Sequence, residues 1–159
     1  MELKIPRVIK NWKYAHKITP ASDLDRYISN RQGRRFSIHP NAPFWSEAFA
    51  EFGLTPTAVE PMFLNMTINH YEDNAYTHEH IDIADDGFVH TRCNVMLVNS
   101  PIGGHPIIDG VPILVEKFDM WLCLASMEHH ASAPVMGGQR LVFSFGGLVP
   151  VEQINKILL

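Results

Sequence analysis

The chain has 159 residues, a formal net charge of −4, 46% hydrophobic and 19% charged residues, a balance that excludes the disordered and fibrous classes. No apolar run approaches the roughly 18 residues a membrane-spanning helix needs, and Met1-Glu2-Leu3-Lys4-Ile5-Pro6 lacks the apolar core of a secretion signal. The two cysteines, Cys93 and Cys123, make no CxxC pair, so neither a disulfide framework nor a cysteine zinc site is expected, and the expectation is a cytoplasmic protein with no membrane partner.

The length suits a single domain over residues 1–159. Residues 1–59 read as a helical cover, 60–148 as a β core and 149–159 as a C-terminal tail. Residues 1–35 carry nine Lys/Arg against three Asp/Glu. Such a segment suits an acidic partner or nucleic acid, or is simply a solvated helical face. Ser22-Asp23 can cap a helix running to about Arg31, with Leu24, Tyr27 and Ile28 on one face and Gly33 beyond its end. A second short helix fits Pro43 to Phe52, with Phe44, Ala48, Phe49 and Phe52 as its apolar stripe and Gly53 as its stop.

From Glu60 the pattern changes to short strands separated by turn residues. Eight are expected: 60–71, 75–82, 91–99, 104–109, 111–118, 120–126, 129–135 and 140–148. Asp109-Gly110 is the strongest of the turn signals, because Gly accepts positive φ. Eight short strands in so few residues predict a mainly β, jelly-roll architecture, with the N-terminal helices packed on one sheet. Seven of the nine histidines fall between His70 and His130, an unusual density for an apolar, β-rich segment.

The densest chemistry is Thr77-His78-Glu79-His80-Ile81-Asp82. Residues i and i+2 of a strand share a face, so His80 and Asp82 can aim an imidazole and a carboxylate at one point. His78 lies on that face too, which makes His78/His80 a rival chelate. A third nitrogen can come from His129 or His130. Two histidines and one carboxylate leave half of an octahedron open, the facial triad of non-haem iron(II) oxygenases. Ten residues after His130, Arg140 begins an apolar strand. A cation buried there can grip a dicarboxylate bidentately.

The pattern His80-x-Asp82, His130, Arg140 resembles the Fe(II)/2-oxoglutarate-dependent oxygenases, and within them the prolyl-4-hydroxylase-like branch. Asn69 to Asp82 resembles the stretch leading into that family's first two ligands. Leu97-Val98-Asn99 with Gly103-Gly104 resembles its strand and Gly-Gly turn. The most specific match is His130-x-x-x-Pro134-Val135-x-x-Gly138-x-Arg140. The resemblance covers roughly residues 60–148. It implies a double-stranded β-helix (the cupin-like barrel) and an iron(II) held by His80, Asp82 and His130. It also implies 2-oxoglutarate on that iron with Arg140 pairing its far carboxylate, O2 as oxidant, and ascorbate as a supporting reductant. Tyr71 falls where the family often places a cosubstrate- or substrate-contacting tyrosine, and Asn94 and Ser144 are further candidates. The family's hydroxyl residue two after the basic one is here Val142. The Pro134-Val135-Gly138-Arg140 spacing favours His130 over His129.

The activity so implied is oxidative decarboxylation of 2-oxoglutarate coupled to hydroxylation of a C–H bond. A prolyl residue in a peptide or protein, or a free amino acid, is the first expectation for the substrate. Two alternatives stand beside it. An AlkB-like nucleic-acid oxygenase would use the basic N-terminal segment for phosphate contacts, although residues 140–147 lack that branch's second arginine. A cupin-like non-redox metal-binding protein or isomerase would use His78-x-His80, although only Asp85 stands near the place of its usual glutamate.

Overall fold

A computed structural model describes residues 1–18, 34–37, 44–57 and 66–159. In chain order it contains β1 (Val8–Ile9), α1 (Ala15–Ile18), β2 (Arg34–Ser37), α2 (Trp45–Ala50), β3 (Met66–Tyr71), β4 (Phe88–Val98), β5 (Ile102–Gly103) and β6 (Pro106–Ile108). There follow β7 (Val111–Pro112), β8 (Met120–Cys123), β9 (His130–Ser132), β10 (Val135–Met136), β11 (Arg140–Pro150) and α3 (Val151–Ile157). The principal sheet has six strands in the order β1-β8-β4-β11-β3-β2, and its named pairs are antiparallel. Opposite it lie a three-stranded sheet, β7-β6-β9, and the pair β10-β5.

Both faces of the principal sheet are covered, which is why its central strand reads as a continuous apolar run. Along β11, Leu141, Phe143 and Phe145 point into the main core with Cys93, Val95 and Leu97 of β4, Leu122 of β8 and Ile68 of β3. Trp12, Phe49 of α2, and Ile154 and Ile157 of α3 cover that side. The alternate residues of the same strands face the opposite sheet. Val142, Met96, Trp121 and Cys123 join Ile108, Val115 and Ala125 in a second, smaller cluster. Polar side chains fill the rest of that inner face, and they form the site described below.

The N-terminal third differs most from expectation. The helix predicted over Ser22 to Arg31 lies outside the described residues, and the helix predicted from Pro43 to Phe52 is described as the shorter Trp45–Ala50. Helices are not the whole of the cover, since β1 pairs with β8 and β2 with β3, extending the principal sheet at both edges. These strands are two and four residues long, too short to show a period-2 pattern. Residues 149–159, read as a tail, complete β11 and form α3, whose Ile154 and Ile157 are buried.

Within the core, the expected strand 75–82 is extended chain held by an interrupted ladder rather than a regular strand. Val135 donates to the Ala75 carbonyl, Thr77 donates to the Ser132 hydroxyl, and His80 exchanges both backbone hydrogen bonds with His130. The expected strand 129–135 divides into β9 and β10 at Ala133-Pro134, where Pro removes a donor. The expected strand 111–118 stops at Pro112. The chain then turns back through 113–119, where the Asp119 carboxylate accepts from the backbone of Glu116 and Asn11. The Asp109-Gly110 turn forms as predicted, with both residues at positive φ (48° and 77°) joining β6 to β7.

Among the described residues, Gly103 is the tightest glycine. Its φ is +69°, and a Cβ there would be driven into the Pro134 carbonyl oxygen where β5 lies against β10. Neither the dihedral nor the contact accommodates a methyl group. Gly103→Ala is therefore expected to lower unfolding free energy by about 2–4 kcal/mol, read as a reduced urea midpoint with an unchanged slope.

Candidate active site

Three extended segments bring the site together. Because His80 and His130 exchange N–H···O=C bonds at 3.1 and 2.9 Å, their side chains stand on one face, with ring centroids 4.2 Å apart. Asp82 follows two residues later on the same face, its own N–H bonded to the Ala125 carbonyl at 2.8 Å. One ligand atom from each of His80, Asp82 and His130 lies within 4.8 Å of the others. His80 Nε2 is 3.3 Å and His130 Nε2 3.6 Å from Asp82 Oδ1.

The tautomers are set by the backbone. His80 Nδ1 donates to the His78 carbonyl at 2.7 Å, and His130 Nδ1 donates to the Glu128 carbonyl at 3.0 Å. With the protons on Nδ1, both Nε2 lone pairs face the carboxylate, the arrangement a metal-binding histidine needs. The other carboxylate oxygen is held by His90, a buried residue of β4, with Nδ1 3.1 Å from Asp82 Oδ2. Burial raises the Asp82 pKa, but the hydrogen bond and charge of His90, with His130 and Arg92 behind them, more than offset it and hold the group at about 2. Burial lowers the pKa of His130, and the neighbouring His80 acts in the same sense. The donor set is thus two imidazole nitrogens and one carboxylate on one face, which fits a divalent transition metal with open positions.

These residues form part of a cleft between the two sheets, lined also by Tyr71, Thr77, Arg92, Asn94, Ser144 and Arg140 among others. Arg140 is 4% exposed. Its guanidinium lies over the Tyr71 ring, 4.7 Å from the centroid, and its Nε has no hydrogen-bond partner. Burial lowers its pKa, opposed by Tyr71. No carboxylate among the described residues pairs with it. A buried guanidinium with an orphaned N–H in a cleft fits a carboxylate ligand. Gly104 lets the side chain pass, for a Cβ there would meet Arg140 Cδ at 3.3 Å and Ser100 Oγ at 2.6 Å.

Each residue singled out in the sequence therefore has a definite place. His80, Asp82 and His130 come together. The rivals do not join them: His129 is 59% exposed with Nδ1 3.9 Å from Asp109, and the exposed ring of His78 packs on Tyr76. Tyr71 lies under Arg140, its hydroxyl 2.6 Å from Thr77 Oγ1. Ser144 and Asn94 are engaged elsewhere. Arg92 donates to the Ser144 hydroxyl at 2.9 Å, and Ser144 donates to Asn94 Oδ1 at 2.7 Å. Two residues were overlooked, His90 and Arg92. Their signal was the alternation His90-x-Arg92-x-Asn94 inside an otherwise apolar strand, which puts three polar groups on one buried face.

No protein-family model and no curated protein matches the chain. Solved structures do. The viral collagen prolyl hydroxylase vCPH from Paramecium Bursaria Chlorella virus-1, in its 2OG complex, aligns with a TM-score of 0.62 at 14% identity, covering 90% of this chain and 94% of that one. A prolyl-4-hydroxylase from Pseudomonas putida gives 0.58 at 17% identity, covering 90% and 91%. HygX from Streptomyces hygroscopicus, with nickel and 2-oxoglutarate bound, gives 0.56 at 14%, covering 90% and 81%. The fold is a double-stranded β-helix, shared with these structures. At such identities the likeness concerns the fold; the site rests on the geometry above.

Two pH effects follow for the metal-free protein. Asp82 is depressed from 3.8 to about 2, and His130 is depressed below its ordinary 6.5. Each contributes stability that is complete above the unfolded value and lost as pH falls through the folded one. Unfolding free energy should decline as pH drops below about 6.5 and again between about 4 and 2. Denaturant titrations across pH should show the upper step flattened in His130→Gln and the lower step flattened in Asp82→Asn.

Proposed function

We propose that the chain is an iron(II)- and 2-oxoglutarate-dependent dioxygenase that hydroxylates a C–H bond. The observation that carries the proposal is the pairing, in one cleft, of the His80–Asp82–His130 donor set with a buried guanidinium that has an orphaned N–H. In this reading His80 Nε2, Asp82 and His130 Nε2 hold the ferrous ion, and Arg140 holds the far carboxylate of the keto acid. Bound there, the metal and keto acid supply the activation of oxygen and the oxidation of substrate.

The protein's own contribution is placement. The carbonyls of His78 and Glu128 fix the imidazole tautomers, and His90 fixes the rotation of the Asp82 carboxylate. Tyr71 packs its ring against the Arg140 guanidinium. The fold shared with prolyl hydroxylases makes a peptidyl proline or a free amino acid the leading substrate class. The site lies at a cleft that opens to solvent, where either can enter.

Anaerobic addition of Fe(II) and 2-oxoglutarate should produce a visible charge-transfer band. His80→Ala, Asp82→Ala and His130→Ala should each abolish it. Arg140→Gln should keep metal binding and weaken 2-oxoglutarate by about tenfold to a hundredfold, the range for a charge-assisted hydrogen-bonded pair. A wild-type protein that binds iron yet gives neither the band nor succinate with any substrate would refute the assignment.

A further inference from the structure

The turn between β8 and β9 contains a buried acid that the functional reading has not used. Met127 and Glu128 both donate to the Leu124 carbonyl at 2.8 Å. The Glu128 side chain folds back and accepts from the Leu124 N–H, so it closes the same turn from the other side. Both of its carboxylate oxygens also accept from the Arg7 guanidinium, one terminal nitrogen to each. Arg7 is in turn anchored to β8. Its Nη1 donates to the Leu122 carbonyl, and the Leu122 N–H donates to the Arg7 carbonyl, both at 3.0 Å.

Three groups of this short turn reach the site. The Ala125 carbonyl accepts from the Asp82 N–H at 2.8 Å. Ser126 exchanges bonds with His90, its N–H donating to the His90 carbonyl at 3.3 Å and its hydroxyl accepting from the His90 N–H at 2.9 Å. The Glu128 carbonyl meets His130 Nδ1 at 3.0 Å. Asp82, the histidine that holds its second oxygen, and His130 are thus all located by one piece of backbone.

Stability alone does not account for an ion pair in this place. Apolar residues of similar volume often match or exceed a buried pair in stability, and the turn already leans on the main core through Leu122 and Leu124. A carboxylate adds direction. It accepts along fixed lines from a backbone N–H and from a planar fork, and so it fixes the peptide whose carbonyl faces His130. The pair also shows where part of the basic N-terminal segment is used: Arg7 is bonded to Glu128 and Lys10 to Asp119.

Resting on the reading of His80, Asp82 and His130 as metal ligands, we propose that Glu128 is a positioning residue for the metal centre. Its buried carboxylate shapes the turn over residues 124–128, which aims Asp82 and His130, and Arg7 is the counter-charge that holds the carboxylate in place.

The test compares the full chain as wild type with Glu128→Gln, Arg7→Gln, Arg7→Lys and Ile154→Ala. The last removes a side chain of α3 from the core on the opposite side of the principal sheet from the cleft. Each protein is titrated with Co(II) by calorimetry and by its visible ligand-field absorption, and a urea transition follows the fold without metal. Glu128→Gln should bind Co(II) about tenfold more weakly, the lower end of the range for residues that orient metal ligands, with displaced absorption bands. Arg7→Gln should weaken the metal in the same way, and Arg7→Lys, which keeps the charge without the fork, should restore part of the loss. Ile154→Ala should lower the urea midpoint and leave Co(II) affinity within about twofold of wild type. A folded Glu128→Gln with wild-type affinity and bands overturns the proposal. So does an Ile154→Ala that weakens the metal equally, because the effect then follows stability. If Glu128→Gln does not fold, the two Arg7 variants decide: loss in Arg7→Gln with partial rescue in Arg7→Lys upholds the proposal, and wild-type affinity in both overturns it. A wild type that binds no Co(II) removes the metal centre and this inference together. One that binds Co(II) but gives no charge-transfer band with Fe(II) and 2-oxoglutarate refutes the oxygenase reading, and the positioning role is then judged by the variants alone.

Discussion

The site depends on one two-way backbone exchange, between His80 and His130. Two residues fifty positions apart trade N–H and C=O groups. That exchange fixes which way both side chains point, because opposite residues in an antiparallel pair project to the same face. Each Nδ1 meets the carbonyl two residues earlier in its own segment, so the ring orientation is decided before any metal arrives. Asp82 is carried into position by the same extended segment, two residues on.

The surrounding barrel serves this bridge by dividing labour between its faces. Each central strand of the principal sheet sends one set of side chains into a dry core under the helices and the alternate set into the cleft. The dry set supplies most of the stability through apolar burial. The cleft set, which includes Asn69, Tyr71, Arg92, Asn94, Arg140 and Ser144, consists of groups that would be expensive to bury without partners. A rigid sheet can carry such a costly face only because its opposite face is so well packed.

Much of this was legible in the sequence, for particular reasons. His80-x-Asp82 could be read because period-2 geometry survives in extended chain even where the ladder is interrupted. Asp109-Gly110 could be read because positive φ at both positions demands those residue types. The choice of His130 over His129 needed the spacing to Arg140, since adjacent histidines on a strand differ only in face. The edge strands β1 and β2 were not legible, as pairing at two to four residues is decided by the neighbour and not by local pattern. His90 and Arg92 are not singled out by the sequence pattern, although their alternation within β4 puts both on one face. Ser144 is a candidate cosubstrate contact in the sequence, but its partner, Arg92, lies on a strand that pairs with β11 across more than forty intervening residues.

The Glu128 carbonyl that orients His130 belongs to a residue whose side chain is completely buried. Its carboxylate is clasped by both terminal nitrogens of Arg7, at 2.6 and 3.0 Å, and by the Leu124 N–H at 2.9 Å. The strand that begins at Val8 is thereby tied to His130 through a single residue. Thermodynamic linkage runs both ways: if His130 holds an ion as proposed, whatever steadies this early stretch of chain would tighten the grip on it, and capture of the ion would fasten that stretch to the barrel's edge in return.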